Sequence, residues 1–178
     1  MILFTSDPHF GHENIIKLCG RPFSDVGEMD ECLIRRWNAR VSDRDTVYIL
    51  GDLFYRCPDP EAILMRLNGS KRLITGNHDE SWLTKPLAEK YFDSVDLMLE
   101  INAYNRRITL CHYPLLLWAH DKRTYMIHGH IHCNTSYDCW PLIKARENLL
   151  NAGVDINGFE PVSLDELIEN NAEFKRLH

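Results

Sequence analysis

Five short polar motifs, far apart in the chain, each follow an apolar run of the length of a buried strand. They are Asp7-Pro8-His9, Gly51-Asp52, Gly76-Asn77-His78-Asp79, His112 and Gly129-His130-Ile131-His132. Helical patterns separate the strands of the first half, whereas strands dominate the second half, which predicts an α/β layered fold with mixed sheets. Because open α/β sheets place their sites at the carboxyl ends of strands, the motifs are expected to converge there.

The second half of the chain carries two further structural signals. Val95 to Ile101 and Arg106 to His112 flank an Ala-Tyr-Asn turn, which predicts an antiparallel hairpin. Ser163 and Glu166 have the spacing of a capping box and predict the start of a C-terminal helix. No linker or repeat interrupts the 178 residues, so we expect a single domain over residues 1–178.

Composition narrows the class of protein. Hydrophobic residues make up 44% of the chain, enough to form a full core. The apolar run at 114–118 is far too short to cross a membrane, and no basic leader precedes an apolar segment at the N-terminus. We therefore expect a cytoplasmic protein without a membrane partner. Its six cysteines form no C-x-x-C pair, which favours reduced thiols.

The formal net charge of −6 argues against a sequence-independent grip on duplex DNA, which needs a basic face. Basic residues do cluster at Arg35-Arg36, Arg40, Arg44 and Lys71-Arg72. Such clusters could form a path for a nucleic-acid strand, but they are equally typical of solvated faces. A nucleic-acid substrate is therefore possible without being favoured.

The motifs carry metal-binding chemistry only in combination. Alone, a D-x-H triplet or a Gly-Asp turn occurs by chance, and a lone His112 would more often be a core histidine. Paired histidines at 130 and 132 are more specific, and they suit Zn, Mn or Fe. The full set nearly meets the ligand demand of two divalent cations sharing a carboxylate, an arrangement that hydrolyses phosphate esters.

In this order the motifs resemble the calcineurin-like metallophosphoesterase superfamily, whose series is D-x-H, GD, GNH[DE], an isolated His and GHxH. The matching residues span 7 to 132. The DPHFGH opening and the GVDINGFEPVSLDEL tail are similar to the compact bacterial and phage branch of predicted phosphoesterases. The resemblance implies a four-layer α/β/β/α sandwich with two mixed β-sheets.

The resemblance also implies a role for each motif residue. Two divalent metal ions (Mn, Fe or Zn) would be bound, one by Asp7, His9 and His132, the other by Asn77, His112 and His130, with Asp52 bridging both. A hydroxide between the ions would attack phosphorus. His78 would be the general acid that protonates the leaving oxygen.

Four positions near these motifs bear on the site, and three of them are open to two interpretations. Tyr55 stands where the phosphoprotein-phosphatase branch has an Asp that orients the general acid. Arg56 stands where that branch has a phosphate-contacting Arg, although a solvated Arg is equally compatible. His12 could bind a phosphate oxygen or simply start a helix. Asp79 could orient His78 from outside the ligand set, or it could stabilise a turn in the loop.

Within the resemblance, a phosphodiesterase acting on a small phosphate ester or nucleotide is the leading prediction, because the compact branch is the better match. A phosphomonoesterase or protein phosphatase of the same fold is the alternative, and Tyr55 counts against it. A third possibility, from another class, is a non-catalytic metal-binding scaffold. Every ligand position is filled, which counts against the scaffold.

Overall fold

The computed structural model describes all 178 residues, which form eight strands and six α-helices. The strands are β1 (Ile2–Thr5), β2 (Thr46–Ile49), β3 (Ser70–Ile74), β4 (Ser94–Asp96), β5 (Met98–Ala103), β6 (Arg106–Cys111), β7 (Tyr125–His128) and β8 (Leu149–Asn151). The helices are α1 (Glu13–Leu18), α2 (Val26–Arg40), α3 (Pro60–Leu64), α4 (Lys85–Tyr91), α5 (Trp140–Lys144) and α6 (Leu164–Leu177). None of the helices combines the length and apolar character needed to span a bilayer.

The strands form two four-stranded sheets, in the orders β1-β2-β3-β4 and β5-β6-β7-β8. All pairs in the first sheet are parallel. In the second sheet β5 and β6 are antiparallel and the other pairs are parallel. The first sheet differs from the predicted mixed sheet because helices lie between its strands in the chain, and such crossovers return the chain in the same direction.

The four predicted layers are confirmed by the way apolar residues alternate along the strands. Leu3, Val47 and Leu73 face a core shared with helices of the first half, which include α2. Their neighbours in the sheet, such as Phe4, face the second sheet. On the far side of the second sheet, Met126 packs with α5 and with Phe174 of α6. The order is therefore helices, sheet, sheet, helices.

The predicted strand over Val95 to Ile101 is divided between the two sheets. β4 pairs with β3 in the first sheet, and β5 pairs with β6 in the second. Leu97 lies between them with its side chain exposed. The predicted hairpin of β5 and β6 is present, and Tyr104 and Asn105 at its tip both have positive φ, as a two-residue type I′ turn requires.

Candidate metal centre

Two clusters of candidate ligands lie at the carboxyl ends of the strands. One contains Asp7, His9 and His132, the other Asp52, His112 and His130, and the ligand atoms within each cluster lie within 4.8 Å of one another. The aspartates follow strands of the first sheet, whereas His112, His130 and His132 follow strands of the second. Each cluster therefore depends on both sheets being packed together.

The carboxylate of Asp52 faces both clusters. Its Oδ2 lies 3.7 Å from Nε2 of His9 and 3.5 Å from Nε2 of His112. Its Oδ1 accepts a hydrogen bond of 2.9 Å from the backbone N–H of His78. Asp52 thus lies between the two clusters, as the resemblance implies for a bridging ligand.

Asn77 lies in the second cluster. Its Oδ1 lies 3.1 Å from Nε2 of His112 and 3.0 Å from Nδ1 of His130. The Nδ1 of His112 donates to the carbonyl of Leu50 at 2.7 Å, which leaves Nε2 as the free lone pair facing the cluster. The structure therefore brings all seven predicted ligands together.

The residues present fit divalent cations. Nε2 of His9 is buried and has no hydrogen-bond partner, which is costly unless an ion or another group pairs with it. It lies 3.9 Å from Oδ1 of Asp7, too far for a hydrogen bond but suitable for two ligands of one ion. Burial, with smaller effects of nearby His132 and Arg21, holds the pKa of His9 far below its usual range. Neutral imidazole is the form that binds metal.

Five of the seven candidate ligands have a left-handed backbone: φ is 55° at Asp7, 54° at His9, 53° at Asp52, 69° at His130 and 50° at His132. This region is disfavoured for residues with a Cβ, and such strain concentrates at binding sites. The sharp turns occur directly after the strands. At Gly76, an added Cβ would come 2.3 Å from Oδ1 of Asp52, so this position requires glycine.

Asp79 supports the loops rather than the imidazole of His78. The buried carboxylate accepts four hydrogen bonds of 2.8–3.0 Å, from the backbone N–H groups of Asp52, Leu53 and Gly76 and from Nε1 of Trp82. It therefore joins the loop after β2 to the loop after β3. Of the two interpretations of Asp79, the structure favours the loop role, which also fixes the backbone of Asp52.

His78 lies beside the clusters at the edge of solvent. Its Nε2 is 3.9 Å from Oδ2 of Asp52, and no carboxylate lies within hydrogen-bond distance of its ring. The ring of Tyr55 packs edge-on against it, with 4.7 Å between ring centroids. Tyr55 thus restrains His78 by packing at the position where the phosphoprotein-phosphatase branch uses an Asp.

The two candidate phosphate-binding residues lie near Tyr55 at the rim of the site. His12 packs against Tyr55 at 4.1 Å between ring centroids, and its Nδ1 lies 3.4 Å from Nδ1 of His9. Burial, followed by neighbouring positive charge, lowers the pKa of His12 to about 4, so at neutral pH it contributes hydrogen bonding without charge. Arg56 is exposed, with its guanidinium 5.3 Å from the centroid of Tyr55.

Arg21 and Asp155 are functional candidates to which the sequence analysis assigns no role. Asp155 accepts from Nδ1 of His132 at 2.9 Å and from Nε of Arg21 at 2.8 Å. Arg21 also donates to the carbonyls of Asp7 and Pro8, at 2.8 and 2.7 Å. The position of Asp155 in the sequence could have indicated its role, because Asp155 comes shortly after the last strand, β8, as the other motifs come after their strands.

Electrostatics couples His132 to Asp155. Burial alone would lower the pKa of His132, but the hydrogen bond to Asp155 and the charge of Asp7 outweigh it and raise that pKa. Burial alone would raise the pKa of Asp155, yet His132 and Arg21 lower it. Asp155 is therefore an ionised carboxylate that fixes the orientation of the His132 ring.

Almost the whole chain is similar to known proteins of one family. The family model for calcineurin-like phosphoesterases matches residues 1–175. An uncharacterized protein of Methanocaldococcus jannaschii is 37% identical over 171 residues, covering 94% of this chain and 89% of that protein. The gene 66 protein of Mycobacterium phage L5 is 28% identical over 198 residues, covering 93% and 91%.

A solved structure has the same fold. The protein of unknown function AQ665 from Aquifex aeolicus superimposes with a TM-score of 0.74 at 28% identity, covering 95% of this chain and 98% of that one. The family match extends over almost the whole chain, and two clusters of His and Asp suited to divalent ions lie at its strand ends. The chain therefore belongs to the calcineurin-like phosphoesterase family, and this membership supports a hydrolase that acts on phosphate esters.

Proposed function

We propose that this chain is a dimetal-dependent phosphodiesterase acting on a small phosphate ester or nucleotide. The observation that carries the proposal is the position of Asp52, whose Oδ2 faces His9 in one cluster and His112 in the other. A carboxylate shared in this way is what two adjacent divalent cations require. Mn, Fe and Zn all suit the mixed nitrogen and oxygen ligands.

The residues of the site have two kinds of role: the aspartates set the charge of the metal centre, and His78 transfers a proton. The chemistry that two bound divalent cations supply is polarisation of the ester and a lower pKa for the attacking water. Asp7 and Asp52 offset half of the four positive charges, so the centre attracts an anion. His78 stands beside Asp52 at the edge of solvent, where it can protonate the leaving oxygen.

The charge of the surrounding clefts supports a diester over a monoester. Two clefts, of about 590 and 390 Å³, both reach His78. The larger cleft has no Lys or Arg in its lining, and the smaller cleft has Arg56 alone. A monoester dianion calls for more cationic groups than a diester monoanion does. Clefts meeting at one imidazole also provide space for the two substituents of a diester.

The basic clusters considered for nucleic acid do not contribute to these clefts. Arg40 is paired with Glu166, and Lys71 is buried with its Nζ bonded to the carbonyls of Leu67 and Gly69. A long nucleic-acid strand is therefore a weaker candidate than a small ester. The six free cysteines favour a reducing compartment, and we propose a cytoplasmic location on that ground.

The test is hydrolysis of bis-p-nitrophenyl phosphate and p-nitrophenyl phosphate by purified protein with Mn²⁺, Fe²⁺, Zn²⁺ or a chelator. We expect metal-dependent turnover with higher kcat/KM for the diester, and turnover reduced to background in Asp52→Asn. The matched control is Asp43→Asn, an exposed carboxylate outside both clefts. Higher kcat/KM for the monoester would favour a phosphatase. Metal binding without hydrolysis of either ester would favour the scaffold.

A further inference from the structure

The larger cleft adjoins the metal clusters and shares only His9 and His132 with their candidate ligands. It occupies about 590 Å³ between α1 and the segment 131–137. One end opens on His9, His78 and His132, so a group placed in the cleft would be adjacent to a phosphate at the clusters. This volume is within the range of small-molecule sites.

The titratable side chains that line the larger cleft are four histidines, two cysteines and one tyrosine. Ile15, Leu18 and Ile131 provide apolar surface, and no Asp, Glu, Lys or Arg contributes. The cleft offers no carboxylate, ammonium or guanidinium as a counter-charge to a charged substituent. Its lining therefore favours an uncharged group with substantial apolar surface.

Hydrogen-bonding groups line the outer part of the same cleft. Oδ1 of Asn134 accepts from the backbone N–H and the hydroxyl of Ser136, at 2.9 and 2.7 Å. The Nδ2 of Asn134 forms no hydrogen bond within the protein and is available to a ligand. Thr135 adds a hydroxyl and Tyr137 a partly exposed aromatic ring. Such a lining suits a flat group with apolar faces and a polar edge.

We propose that the larger cleft binds the nucleoside of a nucleotide diester whose phosphate is placed at the metal clusters. This inference rests on the proposed phosphodiesterase function and names its substrate class. A nucleoside is uncharged at neutral pH, and its base has apolar faces and a hydrogen-bonding edge. Glycerol and simple sugars have much less apolar surface than a nucleobase, and amino alcohols carry a charge that the cleft does not match.

Cysteines distinguish this cleft from the smaller one. Cys19 and Cys133 line the larger cleft, Cys57 lines the smaller cleft, and Cys139 lines neither. All four are free and partly exposed. The rate at which each thiol is alkylated therefore reports which cleft a ligand occupies, without any need for turnover.

The first test is protection from iodoacetamide, measured for each cysteine by mass spectrometry, with and without Mn²⁺. Thymidine 5′-monophosphate is compared with deoxyribose 5-phosphate, which lacks the base. We expect the nucleotide to slow alkylation of Cys19 and Cys133 several-fold while Cys57 and Cys139 are unchanged. Protection of Cys57 instead, equal protection by the base-free compound, or no protection in either condition would overturn the assignment.

The second test compares p-nitrophenyl thymidine 5′-phosphate with methyl p-nitrophenyl phosphate, two diesters with the same chromophore. We expect the nucleotide to have the higher kcat/KM. Leu18→Glu places a charge at the mouth of the larger cleft and should reduce this preference about tenfold. Leu142→Glu changes an exposed leucine on α5, outside the cleft, and should leave this preference intact.

The outcomes separate the two proposals. Hydrolysis of neither diester would contradict the phosphodiesterase function itself. Hydrolysis of both with equal kcat/KM, or an unchanged preference in Leu18→Glu, would contradict the nucleoside assignment while the phosphodiesterase function stands.

Discussion

At the scale of single residues, the orientation of His132 depends on a buried ion pair. Nδ1 of His132 is bonded to Asp155, and Arg21 holds the other side of that carboxylate. Arg21 in turn binds the carbonyls of Asp7 and Pro8, in the loop that carries two other candidate ligands. A carboxylate behind a ligating histidine fixes its ring and increases its basicity, so Asp155 should tune metal affinity.

The corresponding variant is Asp155→Asn. We expect its metal affinity to fall about 10–100-fold, because the amide lacks the charge that supports His132 and pairs with Arg21. Titration of metal-free protein with Zn²⁺ against a chelating dye measures the change. Asp43→Asn removes an exposed carboxylate and should bind as the unchanged protein does. Unaltered affinity in Asp155→Asn would mean that Asp155 has no such role.

In the proposed mechanism His78 donates a proton to the leaving oxygen and does not bind metal. We expect His78→Ala to keep its metal content, since this ring lies outside both ligand clusters. Loss of a general acid slows turnover about 10²–10⁴-fold, and the loss should be greater for an alkyl leaving group than for p-nitrophenolate, which departs unprotonated. Metal analysis checks the first expectation. Measurement of kcat for one ester with an alkyl leaving group and one with p-nitrophenolate checks the second. Loss of metal in the variant would refute the assignment of His78 as the general acid.

At the scale of elements, the loops after the strands are built around close approaches of backbone and side chains. A Cβ at Gly129 would come 1.9 Å from Oγ of Ser6 and 2.4 Å from Oδ2 of Asp7. The loop after β7 therefore packs directly on the loop after β1. This contact explains why glycine precedes the paired histidines.

The substitution Gly129→Ala tests this contact. Overpacking of a tight site costs about 1–3 kcal/mol, and here it would also displace Asp7. We expect a lower free energy of unfolding together with weaker metal binding, measured by urea titration and dye competition. Gly158→Ala is the control, because its Cβ would meet no atom within 4 Å. Because Gly158 has a positive φ, the substitution Gly158→Ala adds backbone strain but no clash, and metal binding should be unchanged.

Helix α2 supports the loop after β1 through Asp30, whose carboxylate accepts from the N–H of Gly11 at 3.1 Å. Burial raises the pKa of Asp30 to about 6, above the ordinary value of 3.8. Ionisation of this carboxyl group therefore costs free energy in the folded protein above pH 6, and the cost disappears as pH falls towards 3.8.

Asp30→Asn should therefore stabilise the protein at neutral pH. The amide oxygen can still accept from Gly11, and after allowance for partial exposure we expect a gain of about 1–2 kcal/mol at pH 7. The gain should vanish near pH 4. Urea unfolding at both pH values measures it, with Asp43→Asn as the control, and a loss of stability at pH 7 would contradict the argument.

Boundaries of elements were predicted less well than their existence. The sequence from Ser81 to Tyr91 predicts one helix. The structure has a 3₁₀ turn at Asp79–Ser81 followed by α4 from Lys85, because Pro86 is suited to a first helical turn and not to an interior. The strand predicted from Val95 is split because its first part pairs with β3 in one sheet and its second part pairs with β6 in the other. The local sequence does not specify which strands will be its pairing partners.

At the scale of the whole molecule, the candidate metal centre spans the two sheets. Asp7, His9, Asp52 and Asn77 follow strands of the first sheet, and His112, His130 and His132 follow strands of the second. Cations bound at these clusters would join the sheets at one end. Metal binding and global stability should therefore be linked.

We expect Mn²⁺ or Zn²⁺ to raise the Tm of metal-free protein. A cation at a hundred times its Kd adds about 2.7 kcal/mol, which for a chain of this size corresponds to roughly 5–10 °C. Calorimetry with and without metal measures the shift, and excess chelator should reverse it. Asp52→Asn should show a smaller increase. A Tm that does not respond to any of the three metals would contradict a metal centre at these residues.

The chain by itself determined the strand-end motifs, the α/β class and the family, because those signals are local in sequence and retain their order. Only tertiary structure decided which side chains meet. Asp155 and Arg21 are 134 residues apart. They become partners only when the segment after β8 packs against the end of β1, where the N–H of Val154 donates to the carbonyl of Ser6. Asp79 and Tyr55 likewise received their roles from neighbours brought by folding. Hydrogen bonds and burial depend on three-dimensional neighbours, whereas a motif depends on covalent order alone.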